Sequence, residues 1–158
     1  MTFKVIEIND IGIKVSNEQE LMLTSPGYAH IEKKEIEFGS GAKHRAKLDP
    51  TSSFNQFWQS LNLEPLPHPV AHYRHFADIA YSHLKSLAEE ANIDGDIVLA
   101  VPGSYGNQEL GILLGLIKQC PFNVIGIVDI AVIAAAKSMS LDRQFISIYN
   151  CIKSCLQN

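Results

Sequence analysis

Four histidines, His68, His72, His75 and His83, fall within sixteen residues. Imidazole nitrogens and carboxylate oxygens are ligands for divalent metals, and residues three or four apart share one face of a helix. On a helix through this region His72 and His75 stand one turn apart with Asp78 a further turn on, which makes the trio a candidate metal face. No cysteine and no HExxH spacing joins it, and surface histidines along a helix edge are the plainer reading. A second candidate is the run Gly103-Ser104-Tyr105-Gly106-Asn107, placed between a strand and a helix. Helix N-termini bind anions, so Gly103 and Ser104 are candidate ligand contacts. The spacing matches no phosphate loop, however, and reads as a plain βα turn with Ser104 or Asn107 as N-cap. Ser104 also lacks the G-x-S-x-G elbow of a nucleophilic serine. Cys151 and Cys155 are spaced for one side of a strand or helix and read as buried thiols, and Cys120 sits before Pro121 at a helix end, where no lowered thiol pKa is expected. Phe54, Phe57, Trp58 and Leu61 follow helical spacing; they suit either a partner surface or, the reading preferred here, a core.

Several function classes are excluded by composition. The 158 residues are 46% hydrophobic and 19% charged, with a net charge of -4. No Lys/Arg stripe is present, which argues against nucleic acid. The densest charge, Glu32-Lys33-Lys34-Glu35, is mixed in sign and reads as a solvated turn. No apolar run approaches the ~20 residues of a membrane span, and the start of the chain has no signal-peptide pattern. Three cysteines without framework spacing point to a reducing, cytoplasmic setting.

The elements that must carry these residues divide the chain into a β-meander (1–48), a helical insert with a long helix (49–96) and a βαβαβ unit (97–158), all within one lobe. Short β-rich runs separated by Asn9-Asp10-Ile11-Gly12, Asn17-Glu18 and Ser25-Pro26-Gly27 predict antiparallel strands over the first forty residues. Residues 41–47 and 54–61 are read as short helices. Residues 63–69 hold three of the seven prolines and are read as a linker-like loop. The spacing of Tyr73, Phe76, Ile79, Ala80, Leu84, Leu87 and Ala91 predicts a long helix over 70–91, closed by Asn92 and Gly95. Residues 97–101 are apolar throughout, as a central parallel strand requires. A helix follows Gly106 and buries Leu110, Leu113, Leu114 and Ile117; a buried strand over 124–128, an Ala-rich helix over 130–139 and a last strand over 145–152 complete the pattern.

This order resembles the N-terminal half of the actin-like ATPase superfamily, which includes actin, sugar kinases and the seventy-kilodalton heat-shock chaperones. The chaperone branch is the nearest match. The resemblance rests on Val101-Pro102 at a strand end, the helix after it, and Val128-Asp129-Ile130-Ala131 opening the Ala-rich helix. Ser25-Pro26-Gly27-Tyr28-Ala29, Phe38-Gly39 with Ala42, and Asn55-Gln56-Phe57-Trp58 resemble a bacterial subgroup of chaperone-like proteins. The resemblance implies a ribonuclease-H-like α/β fold: a mixed sheet with an antiparallel N-terminal meander and a parallel βαβα part.

It also implies where nucleotide chemistry would sit. Members place an acid at the end of the first strand, followed by a Gly-Thr hairpin whose amides cradle phosphate. Here Glu7 or Asp10 stands in for the acid, with Asn9 and Gly12 in the hairpin, but only one glycine and no threonine. The second phosphate turn would fall at 148–153, where neither acid nor glycine occurs. Asp129 stands where active chaperones carry a catalytic Glu. The adenosine-binding half would lie beyond Asn158. The expectation is therefore a degenerate, catalytically inactive chaperone-like lobe, needing no cofactor by itself and acting through a protein partner or its own copies. The competing expectations are the N-terminal fragment of a two-lobed protein that binds ATP and magnesium, and a small His-rich metal module.

Overall fold

The computed structural model describes residues 3–17 and 19–138. Strand β1 (Lys4–Asn9) returns through a tight hairpin as β2 (Gly12–Ser16), which pairs in turn with β3 (Leu21–Pro26). On its other side β1 pairs in parallel with β9 (Gly95–Val101), and β9 in parallel with β10 (Phe122–Asp129). The result is an α/β fold on a five-stranded mixed sheet in the order β10-β9-β1-β2-β3. The parallel register sets Leu99 beside both Ile6 and Ile127.

Alternation along β1 sorts the two faces. Ile6 and Ile8 join Ile97, Leu99 and Val101 in the larger core, covered by α2 (Phe76–Glu90) and α3 (Asn107–Ile117). Phe3, Val98 and Ala100 form a smaller core on the opposite face, closed by Ile133 of α4 (Ile130–Ser138). With helices on both faces, β9 is buried from Ile97 to Val101, as its unbroken apolar sequence requires. Between β3 and α2 the chain builds a second small sheet, in which β4 (Ala29–Glu32) lies between β5 (Glu35–Phe38) and the two-residue β6 (Ser53–Phe54). Helix α1 (Gly39–Arg45) follows β5 directly.

Four expected elements differ. No helix spans 54–61: Asp49-Pro50 starts a 3-10 turn, Phe54 pairs with Ala29 of β4, and a single turn closed by Ser60 N–H to Gln56 O carries the rest. Phe54, Phe57, Trp58 and Leu61 are nonetheless all core residues. The proline-rich 63–69 stretch is not a loop. Proline favours extended backbone, and Pro65–Val70 forms β7, paired with β8 (Tyr73–His75) through a turn in which Ala71 takes a φ of 50°. The long helix consequently begins at Phe76 and not near Val70. Strand β10, expected to be buried, is half-exposed along most of its length and leaves Ile127 41% exposed. The strand expected at 145–152 lies outside the described residues. Among the described residues no helix is long and apolar enough to cross a membrane.

Candidate functional site

Candidate residues from distant parts of the sequence lie near the carboxyl ends of the parallel strands. Glu7 lies next to the end of β1, opposite Ala100 of β9. Its cross-strand neighbour Lys14 approaches to 3.6 Å, and Asn9 Nδ2 donates to Glu7 Oε1 at 3.3 Å. At the tip of the hairpin, Asn9 Oδ1 accepts from the amides of both Ile11 (3.0 Å) and Gly12 (3.1 Å). This Asx turn stabilises the reversal, and it gives both amides a side-chain acceptor. Gly12, at a φ of 150°, is required by close approach: a Cβ there would run into the Ser25 carbonyl of β3.

Asp10 is exposed at the same tip. Its carboxylate, together with Glu109, adds to burial in pushing the Tyr105 phenol well above its ordinary pKa. Tyr105 O–H donates to the Trp58 carbonyl at 2.6 Å and ties the β9–α3 connection to the core.

Asp129 ends β10, and its Oδ1 accepts from the Ala131 amide at 2.7 Å, capping α4. Oδ2 lies so close to Gly103 that a Cβ on Gly103 would stand 2.6 Å from it. The structure thus brings Gly103 and Asp129 together. Ser104 is exposed and caps nothing. The N-cap of α3 is Gly106, whose amide donates to Glu109 Oε2 at 2.9 Å, which corrects the expectation of Ser104 or Asn107. A carboxylate on the first turn also opposes anion binding at this helix end.

The metal face does not form as expected. His72 sits in the β7–β8 turn with its ring 4.3 Å from that of Tyr73, so it shares no helix with His75. His75 is the N-cap of α2, and Asp78 Oδ2 accepts from the amides of Arg74 (2.8 Å) and His75 (3.3 Å). These amides, with the charges of His75 and Arg74, hold the Asp78 carboxyl below its ordinary pKa against the opposing effect of burial. Among the described residues no three His, Cys, Asp or Glu side chains converge as a metal site. Cys120 is half-buried, which pushes its thiol pKa up; Cys151, Cys155 and the 148–153 stretch lie outside the described residues.

His83 is the largest departure. It is not a surface histidine but is 1% exposed, stacked on Phe38 with ring centroids 4.9 Å apart. Burial lowers its pKa to about 4, so it is neutral at pH 7. Trp58 Nε1–H donates to its Nδ1 at 3.0 Å, and its Nε2 stands 2.8 Å from Ser25 Oγ. Indole nitrogen is a donor only, so Nδ1 carries the lone pair and Nε2 the proton. His83 therefore donates to Ser25 and cannot take its proton: the pair has the spacing of a Ser–His dyad with the polarity reversed. The sequence did carry a signal for burial, since His83 is four residues after Ile79 and four before Leu87 on the apolar stripe. Nothing in the sequence linked it to Ser25, 58 positions away.

The hairpin, the end of β3 and α1 line a groove of about 360 Å³ that includes Asn9, Asp10, Gly12, Ser25, Tyr28 and Lys43. No family model matches the chain, and a search of curated proteins finds no match.

Proposed function

We propose that this chain is a degenerate, catalytically inactive lobe of the ribonuclease-H-like, actin and heat-shock ATPase type, acting through protein–protein contacts. Its strand order supports the fold assignment. Counting only the main sheet, it runs 3-2-1-4-5 with the second strand antiparallel to the rest, and the β4–β8 insertion falls between the third strand and the long helix.

The observation that carries the inactive reading is the Asn9 side chain. Its Oδ1 consumes the amides of Ile11 and Gly12, where an active hairpin would present free N–H groups to phosphate. Glu7 is engaged by Lys14 and Asn9, and Asp129 by the first turn of α4. Ile127 on β10 and Val132 on α4, 41% and 57% exposed on opposite sides of the sheet, are apolar side chains open to a protein partner.

A second reading, the N-terminal part of a two-lobed ATP- and magnesium-binding protein, draws on one observation: Asp10 and Asp129 sit at or just beyond the carboxyl ends of parallel strands, with Glu7 two residues before the end of β1. In open α/β sheets this is where ligands bind. Calorimetric titration of the chain with ATP and magnesium separates the two. The inactive reading expects no saturable heat; micromolar binding abolished by combined Glu7→Gln, Asp10→Asn and Asp129→Asn substitution would replace it with the second.

A further inference from the structure

Two histidines among the described residues are buried: His83, and His30 of β4, which is 5% exposed and takes no part in the Trp58–His83–Ser25 chain. The His30 Nδ1 stands 3.0 Å from Ser53 Oγ of β6. Ser53 Oγ–H donates to the Asp49 carbonyl at 2.9 Å, so its proton is spent and it accepts from His30 Nδ1–H. In a neutral imidazole the other nitrogen then carries the lone pair. Among the described residues His30 Nε2 has no hydrogen-bond partner, and it is not sealed within the protein. Buried polar groups are normally satisfied, so an acceptor this deep with one open side is placed to meet a donor from outside.

The opening is a recess of about 250 Å³ lined by His30, Glu32, Glu35, Ile36, Glu37 and Arg45. Strand register explains the company. His30 is paired with Glu37 and Glu32 with Glu35, and alternation puts all four side chains on one face of the small sheet. Ala29 and Ile31, on the other face, belong to the larger core. Arg45 of α1 pairs with Glu37 at 2.6 Å and reaches Glu32 at 3.8 Å. A Cβ on Gly41 would fall on the Glu37 carboxylate, so α1 packs directly against this acid. Glu35 has no ion-pair partner among the described residues. Three carboxylates thus face one guanidinium, and Lys33 and Lys34 of the β4–β5 turn do not line the recess.

The geometry points to a binding site for a primary ammonium group, with His30 Nε2 and the carboxylates of Glu35 and Glu32 as its acceptors. An ammonium has three donors and no acceptor, which matches one imidazole lone pair flanked by carboxylates. An anion is repelled by the same set. The side chains do not converge closely enough for a metal ion, but N–H···O bonds of about 2.9 Å reach farther than metal–ligand bonds of about 2.1 Å. This chemistry is that of a free polyamine or of a lysine side chain on another protein. The site uses no residue of the β1–β2 hairpin or of α4, so it is independent of the inactive-lobe reading.

Cadaverine is the probe, titrated into the whole chain at pH 8 and low salt, with calorimetry and the imidazole nitrogen shifts of His30 as readouts. Tetramethylammonium, a cation without N–H groups, is the comparison. Saturable cadaverine binding is expected, weaker by about tenfold or more in both Glu35→Gln and His30→Phe, because a hydrogen bond to a charged group is of that size. Glu90→Gln, outside the recess, should bind like the unaltered chain. Glu35 is exposed, so its replacement leaves the fold intact even if His30→Phe disturbs packing. The free protein should carry the His30 proton on Nδ1, and the Nε2 signal should move on binding. A lysine residue capped at both backbone ends, titrated in parallel, identifies the source: tighter binding than cadaverine assigns a protein lysine, weaker binding a free polyamine, and the site stands in both cases. The proposal is overturned if neither amine binds saturably, if Glu35→Gln binds like the unaltered chain, if tetramethylammonium binds as tightly as cadaverine, or if the free protein carries the His30 proton on Nε2.

Discussion

Lowering the pH from 7 to 5 should destabilise this protein through a single buried ring. Burial among Phe38, Phe57 and Trp58 lowers the His83 pKa to about 4, whereas the unfolded chain keeps the ordinary value near 6.5. Above that ordinary value both states are neutral at His83 and stability does not depend on pH through this residue. Below it the unfolded state takes up a proton that the folded state refuses, so stability falls as the pH falls and levels off only near pH 4. At about 1.4 kcal/mol per pH unit across the gap, the loss is about 2 kcal/mol by pH 5 and about 3 kcal/mol at the plateau. Carboxylates titrate mostly below this window, which leaves histidine dominant. Urea unfolding at pH 7 and pH 5 measures the loss. His83→Gln is the control, because a glutamine amide can accept from Trp58 and donate to Ser25 without titrating. The unaltered chain should lose about 2 kcal/mol more than the variant between the two pH values. An equal loss in both would refute the argument that His83 is held neutral by burial.

Three further outcomes follow from the geometry. Gly12→Ala should lower the thermal midpoint sharply, by the equivalent of about 2 kcal/mol or more, since the added methyl meets the Ser25 carbonyl at a strained φ. Tyr105→Phe should cost about 1–2 kcal/mol in urea unfolding, because the Trp58 carbonyl loses its partner in a buried setting. Asp78→Ala removes the acceptor for the Arg74 and His75 amides at the start of α2 and should cost about 1 kcal/mol. The Asp78 carboxyl is held below its ordinary pKa, so its contribution is present above that ordinary value and fades as the pH falls through the folded pKa; the cost of Asp78→Ala should therefore shrink in acid.

Much of the architecture was legible before any coordinates. The unbroken apolar run of β9 can only suit a strand covered on both faces, and the Asn9–Gly12 turn between β-rich runs can only suit a hairpin. The apolar stripe of α2 was read correctly, but its start was not. Tyr73 has the right spacing for the stripe and is buried, yet it reaches the core from a strand. Periodicity records which residues face inward, and over one or two turns it does not distinguish the backbone that carries them. Phe54, Phe57, Trp58 and Leu61 make the same point, being core residues without a helix. Among the described residues β10 ends the sheet, and apolar composition does not distinguish such a strand from a central one.

The candidate site divides along the same line. Residue type and spacing were enough to mark Asn9, Gly12, Gly103 and Asp129 as residues at strand ends, because hairpin and βα-turn chemistry is local. They were not enough to show that Asn9 spends its oxygen on the hairpin amides, or that Asp129 faces Gly103. Least legible was the Trp58–His83–Ser25 chain, drawn from three separate segments of the sequence. Local sequence governs which backbone a short segment prefers; which side chains then share a hydrogen bond depends on how sheet and helices pack. The direction of each proton follows from that packing, and a string of letters does not hold it.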